Sequence, residues 1–254
     1  MEPENSQPAE SQAEKPVADP QGEPNKTYVM VEQKPFWVEQ VSWKPRVFYL
    51  YNILTPFECE FLIQRAKGEL TRSTVVDEES GSSTESGVRT SQGMFIPKIE
   101  PHPVLQFIQR KLSRVSYMAV DHAEDIQVLK YDVGEEYEPH FDYFDPSTTH
   151  HSVLERGGQR VATLLMFLNT VPKGGETVFP EVNIQIPPRQ GNGVLFFNLT
   201  PDHQMDRLSR HGGAPVKEGE KWIATQWLRE RTFRSSGHIE QSAGQTIIQP
   251  ASRS

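Results

Sequence analysis

The sequence predicts an α+β domain built on a double-stranded β-helix, or jelly roll, with supporting N-terminal helices. Three observations carry that expectation. Helical spacing is confined to two segments in the first half of the chain, residues 55–69 and 101–118. From Ile126 onward, short apolar stretches alternate with Gly- and Pro-rich breaks. The 254 residues contain no internal repeat, so the strands that follow the helices are assigned to one sheet-rich unit.

In chain order, residues 1–27 read as a disordered acidic leader, with five prolines, six acidic and two basic residues and almost no large apolar side chain. Residues 28–232 form the domain, and 233–254 a flexible tail rich in Ser, Gln and Gly. Within the domain, residues 36–54 alternate apolar and polar side chains and are rich in aromatics, which suits one or two strands. Thr55, Pro56 and Glu58 make a capping box with proline at the first helical position, opening the helix 55–69. The second helix, 101–118, places Val104, Ile108, Leu112, Val115 and Met118 at helical intervals. Between the helices, residues 77–91 have Val88 as their one apolar side chain. A loop of that length inside a compact domain is either functional or disordered. Strands are then expected at 126–131, 137–143, 159–169, 176–179, 183–186, 193–199 and 221–229.

Composition excludes several classes. There are 34 acidic against 26 basic residues, a net charge of -8; the leader carries -4 and the tail +1, which leaves -5 on residues 28–232. A general nucleic-acid binder needs the opposite footprint. The single cysteine, Cys59, rules out an intramolecular disulfide and a Cys-rich zinc module. The apolar runs, such as 161–168, are too short to span a bilayer, and the N-terminus lacks a basic and an apolar region of the secretory kind. The chain is expected to be soluble and cytoplasmic, with the endoplasmic reticulum the alternative if a targeting segment has been removed. Oligomeric state is unreadable.

Of the eight histidines, His140 has an aspartate two residues on, Asp142, and on an extended strand that spacing puts both on one face. An imidazole and a carboxylate so placed supply two legs of a metal site. A third leg has two candidates, His203 and His211. His211 is followed ten residues on by Lys221, which opens the apolar stretch 221–228, whereas His203 has Gly213 at that distance. A lysine in such a strand is costly to bury unless it meets an anion. Two histidines and one carboxylate on one face of an iron leave positions open for a chelating co-substrate and O2. The pair His150-His151 reads instead as solvated, in a loop 145–156.

Several stretches carry a resemblance: VVDEESG at 75–81, VRTS at 88–91, YEPHFDYF at 137–144, GGQRVATLLM at 157–166, GGETVFP at 174–180, HGGAPV at 211–216 and GEKW at 219–222. In this order, over about residues 45–230, the chain resembles the Fe(II)/2-oxoglutarate-dependent dioxygenases, and among them the plant and algal prolyl 4-hydroxylases. The resemblance implies Fe(II) at His140, Asp142 and His211. It implies 2-oxoglutarate at Lys221, with the hydroxyls of Tyr131 and Thr177 on the same C5 carboxylate. It further implies hydroxylation of C4 of a peptidyl proline with release of succinate and CO2, using O2 and ascorbate. Tyr137, Arg160, Trp227 and Arg89 match positions that face a proline-containing peptide or protein, and 77–91 matches a mobile lid. The chain departs from the pattern at Ala214, where a cysteine is common, and at Arg229, where a histidine is common. In a family that often uses disulfides, the lone Cys59 favours a reducing compartment. Two other readings compete: an oxygenase of the same chemistry acting on another side chain or a small molecule, and a catalytically silent jelly roll that binds Pro-rich peptides. The intact His140, Asp142, His211 and Lys221 weigh against the second of these.

Overall fold

The structure, a computed structural model, describes residues 26–72, 74–76, 83–85 and 90–234, the two three-residue segments as backbone. The leader and tail expected from the sequence lie outside these residues, except that Lys26 and Thr27 already belong to the first strand and Phe233 and Arg234 end the described chain. The chain is mostly sheet with few helices, consistent with a jelly roll. A nine-stranded antiparallel sheet runs in the order Lys26–Val31, Lys34–Trp43, Arg46–Leu50, Gly193–Phe197, Arg160–Phe167, Lys221–Arg229, Ile126–Tyr131, Gln92–Ile96, Thr71–Arg72. A four-stranded antiparallel sheet has the order Ile184–Ile186, Thr177–Phe179, His211–Gly213, Tyr137–His140. Thr74–Val76 and Ser83–Glu85 pair as a small hairpin, which places strand where a structureless loop was expected; the rest of 77–89 lies outside the described residues.

Alternation along the central strands of the large sheet assigns each face a separate core. Ala162, Leu164 and Met166, with Trp222, Ala224 and Leu228, pack with two helices: α1, Pro56–Ala66, and α2, Pro103–Ser116. Leu165, Phe167 and Ile223 point the other way and share a second core with Phe179 and Ile186 of the small sheet. Covered on both faces, Lys221–Arg229 is buried at every position. That is why it reads as a continuous run rather than an alternating one.

Local chemistry explains the helix ends. The Thr55 hydroxyl accepts from the Glu58 amide at 3.2 Å while the Glu58 carboxylate accepts from the Thr55 amide at 2.7 Å, the reciprocal box of the sequence. α1 stops at Ala66, three residues short of the expected end, because Gly68 (φ +90) turns the chain into the left-handed region. α2 starts two residues late, since the His102 ring caps it by accepting from the Val104 amide. Among the described residues no helix is long and apolar enough to cross a membrane.

Glu58 also meets Lys111 of α2, whose ammonium donates to its carboxylate at 2.6 Å and to the Ile53 carbonyl at 2.8 Å; both side chains are buried. Removing one partner strands the other. Glu58→Ala is therefore expected to lower stability by about 3–5 kcal/mol, measured by urea unfolding, and Glu58→Ala/Lys111→Met to recover most of the loss.

Candidate active site

Between the two sheets lies a cleft of about 420 Å³ lined on one side by Leu129, Tyr131, Leu165, Lys221, Ile223 and Trp227 and on the other by Tyr137, His140, Thr177 and His211. Backbone pairing places its chemistry. In the small sheet His211 lies directly opposite His140, so residues 71 positions apart become neighbours by register. The strand ends at His140, sooner than expected, and Asp142 reaches the same point from the bend that follows. Asp142 Oδ1 is 3.5 Å from His140 Nε2, and Oδ2 is 3.5 Å from His211 Nε2. One ligand atom from each of the three lies within 4.8 Å of the others, the span of a metal's coordination shell.

The remaining ring atoms are committed elsewhere. His140 Nδ1 donates to the Glu138 carbonyl at 2.9 Å and His211 Nδ1 to the Ser209 carbonyl at 3.0 Å. Both rings therefore turn Nε2 toward Asp142, the orientation that second partners impose on metal-binding histidines. Burial opposes ionisation of Asp142, but His211, His140 and Arg160 outweigh it and hold the carboxyl well below the usual carboxylate range. Burial, aided by His140 and opposed by Asp142, pulls His211 down to about 4, leaving it neutral and able to ligate. Thr163 Oγ1 donates to Asp142 Oδ2 at 2.7 Å and itself accepts from Asn198 Nδ2 at 3.1 Å. Neither was foreseen; Thr163 was detectable only as a polar residue at the cleft-facing phase of an apolar strand.

A second cross-strand pair builds the inner end. Lys221 lies opposite Tyr131 in the large sheet, with its ammonium 5.3 Å from the Tyr131 ring centre. Burial lowers Lys221 to about 8, partly offset by Glu176. Thr177 Oγ1 is buried there without a hydrogen-bond partner among the described residues, an acceptor and donor held ready. Two glycines keep the space open: a Cβ on Gly213 would come 3.3 Å from Lys221 Nζ, and Gly175 (φ +72) would press one 3.2 Å from Lys221 Cδ. A buried ammonium, a free hydroxyl and a side-chain-free cradle fit a small dianion whose carboxylate enters between them. His203, the other candidate for the third ligand, is exposed and outside the cleft.

Toward the mouth, Tyr137 stacks on His140 with ring centres 3.7 Å apart. Trp227 lines the cleft, and the Arg160 guanidinium lies over its ring at 3.9 Å. Arg160 reaches this face through a register shift between Arg160 and Ala162 that adds a residue and turns Val161 to the helix side. It is held by Glu124 through two hydrogen bonds of 2.7 and 2.9 Å. Arg89 lies outside the described residues. His150 and His151 are exposed, as expected, but they begin a short helix, α3 (His151–Glu155), rather than sit in a loop.

Residues 126–229 match the family model of the 2OG-Fe(II) oxygenase superfamily. The chain is 44% identical over 220 residues to "Probable prolyl 4-hydroxylase 4" of Arabidopsis thaliana, covering 78% of this chain and 72% of that one. Over a similar span it is 43% identical to "Prolyl 4-hydroxylase 2" of the same plant, covering 78% and 72%. Among solved structures it is similar to the viral collagen prolyl hydroxylase of Paramecium Bursaria Chlorella virus-1 in its 2OG complex. That likeness has a TM-score of 0.56 at 29% identity and covers 72% of this chain and 95% of that one. The chain belongs to the prolyl 4-hydroxylase family of 2-oxoglutarate- and Fe(II)-dependent oxygenases. It is a 2-oxoglutarate-dependent dioxygenase whose reaction is proline hydroxylation, with Fe(II), 2-oxoglutarate, O2 and ascorbate as the family's cofactor set.

Fe(II), or Mn(II) as a redox-silent stand-in, is expected to bind one per chain by calorimetry under argon. Binding should vanish in His140→Ala and His211→Ala, and Thr163→Val should weaken it about tenfold by freeing Asp142.

Proposed function

We propose that His140, Asp142 and His211 hold the Fe(II), and that Lys221, Tyr131 and Thr177 hold the C5 carboxylate of 2-oxoglutarate. The observation that supports this assignment is the pairing scheme: His140 opposite His211 and Lys221 opposite Tyr131, both pairs opening on one cleft. Bound iron supplies the centre at which O2 and 2-oxoglutarate react, the latter leaving as succinate and CO2. The chain's own residues orient and exclude. Carbonyls at Glu138 and Ser209 lock the imidazoles, Thr163 aims the carboxylate, and the apolar walls Leu129, Leu165 and Ile223 keep water from the co-substrate.

The substrate in this reading is a proline-containing peptide or protein, laid across the mouth against Tyr137, Trp227 and Arg160. Aromatic walls suit a polyproline II chain, which arrives extended and loses little entropy on docking. A reducing, cytoplasmic compartment accords with Cys59, whose thiol is buried and pushed up to about 11 by that burial.

The test is succinate release with Fe(II), ascorbate and a Pro-rich peptide, read by mass spectrometry. A 16 Da gain on proline is expected, lost in His140→Ala; turnover stimulated by peptide without proline oxidation would overturn the substrate assignment. Lys221→Ala should raise KM for 2-oxoglutarate roughly 10- to 100-fold while leaving Mn(II) affinity within about twofold. The wild-type affinity for 2-oxoglutarate has a pH signature. The anion prefers protonated Lys221, so affinity should be flat below pH about 8 and fall above it as the free enzyme's ammonium deprotonates. Tyr131 and Glu176 are the groups beside Lys221, and Tyr131→Phe should leave that profile in place.

A further inference from the structure

A second pocket adjoins the mouth of the cleft, lined by Glu124, Phe144, Val153, Arg156, Arg160 and Arg229, with Phe233 at its rim. We propose that it is a specificity subsite for an acidic side chain, the carboxylate of a glutamate or aspartate that flanks the target proline in the peptide. The proposal rests on the reading of the peptide groove given above and names one of its determinants.

The first argument is charge. Among the described lining residues, the Arg160 and Arg229 guanidiniums share one carboxylate, Glu124, and Arg156 lies beside them. Glu124 is already committed, accepting from Arg160 Nε at 2.7 Å and Nη2 at 2.9 Å, with Arg229 Nη1 a more distant 3.4 Å away. The second is the state of Arg229, which is 2% exposed. Its Nη2 donates to the Val153 carbonyl at 2.7 Å and to the Arg156 carbonyl, so backbone oxygens at the end of α3 hold it in place of a second acid. Its Nε is buried without a hydrogen-bond partner among the described residues. A guanidinium taken out of water and left under-compensated is costly unless an anion joins it. Burial, with repulsion from Arg160, Arg156 and Arg231 and partial relief from Glu124, pushes Arg229 down to about 10.

Position supplies the third argument. Arg160 links the two pockets: it lines this one, and its guanidinium lies 3.9 Å from the ring of Trp227, which lines the cleft. The two sites are one stacked indole–guanidinium layer apart. Phe144 faces both Arg160 and Arg229 at 4.9 Å, and Phe233 faces Arg229 at 5.2 Å, giving the guanidiniums aromatic walls and the incoming carboxylate a partly dry setting. A polyproline II chain advances about 3.1 Å per residue, so a pocket this near the cleft is reached by a residue close in sequence to the proline.

The experiment compares peptide pairs that differ only by Glu against Gln at each position within four of the proline, in the Fe(II)- and ascorbate-supplied enzyme. At one position, the Glu peptide should show a kcat/KM at least tenfold above its Gln partner. Arg229→Gln and Arg156→Gln should each shrink that ratio, and Arg156→Glu should reverse it in favour of a Lys peptide, a swap that a merely structural arginine would not produce. Arg156 is exposed at the end of α3, so its variants test the site even if Arg229→Gln fails to fold. Hydroxylation of Glu and Gln peptides at equal kcat/KM everywhere would overturn the subsite while leaving the proposed function standing. No hydroxylation of any peptide would overturn both.

Discussion

The site depends on one backbone constraint, the register that sets His211 opposite His140 at the edge of the small sheet. A slip of one residue would turn each side chain to the opposite face, sending one imidazole away from Asp142. The register is fixed by what lies around it. Thr177 pairs with Gly213 on the far side of the same strand, and Phe179 packs on Phe196 of the large sheet with ring centres 5.3 Å apart. Sheet-on-sheet packing therefore sets the positions of His140 and His211, and an apolar contact away from the cluster governs where the candidate ligands meet.

Buried charges fall into two kinds here. Lys111 and Glu58 satisfy each other and lock the first helix to the second; they are complete without a ligand. Lys221 is buried beside an aromatic ring and an unpartnered hydroxyl, and Arg229 is held mainly by carbonyl oxygens. Those two carry a desolvation cost that the fold itself leaves under-compensated. Both charges of the second kind are on the same strand, Lys221–Arg229, and both are assigned anions in the proposals above.

Sequence reasoning reached the parts that are local or periodic. The capping box at Thr55 and Glu58, the two-residue spacing of His140 and Asp142, and the odd lysine opening an apolar strand are each visible within a few residues. What escaped was set by tertiary context. The helix ends moved because Gly68 and His102 act on hydrogen bonds that periodicity does not report. The strand Gln92–Ile96 was missed because its partner Ile126–Tyr131 supplies the reason for it to extend. The grip of Glu124 on Arg160 joins residues 36 apart through a register shift, and no spacing rule announces it. The burial of Arg229 was invisible for the same reason: an arginine at the end of a strand ordinarily reads as solvated.

The strand Lys221–Arg229 can be seen, finally, as an axis along which the reaction is laid out. Its odd-numbered residues face the cleft side in sequence: Lys221 at the inner end, then Ile223, Thr225 and Trp227, and Arg229 at the second pocket. At about 3.4 Å per residue the two ends stand about 27 Å apart. Thr163, which holds Asp142, pairs with Trp227, so the His140–Asp142–His211 cluster lies toward the Arg229 end of the strand and the buried ammonium of Lys221 at the other. In the proposed reading, a change at Arg229 alters which peptides are accepted while Lys221 goes on holding the co-substrate, so one strand serves both.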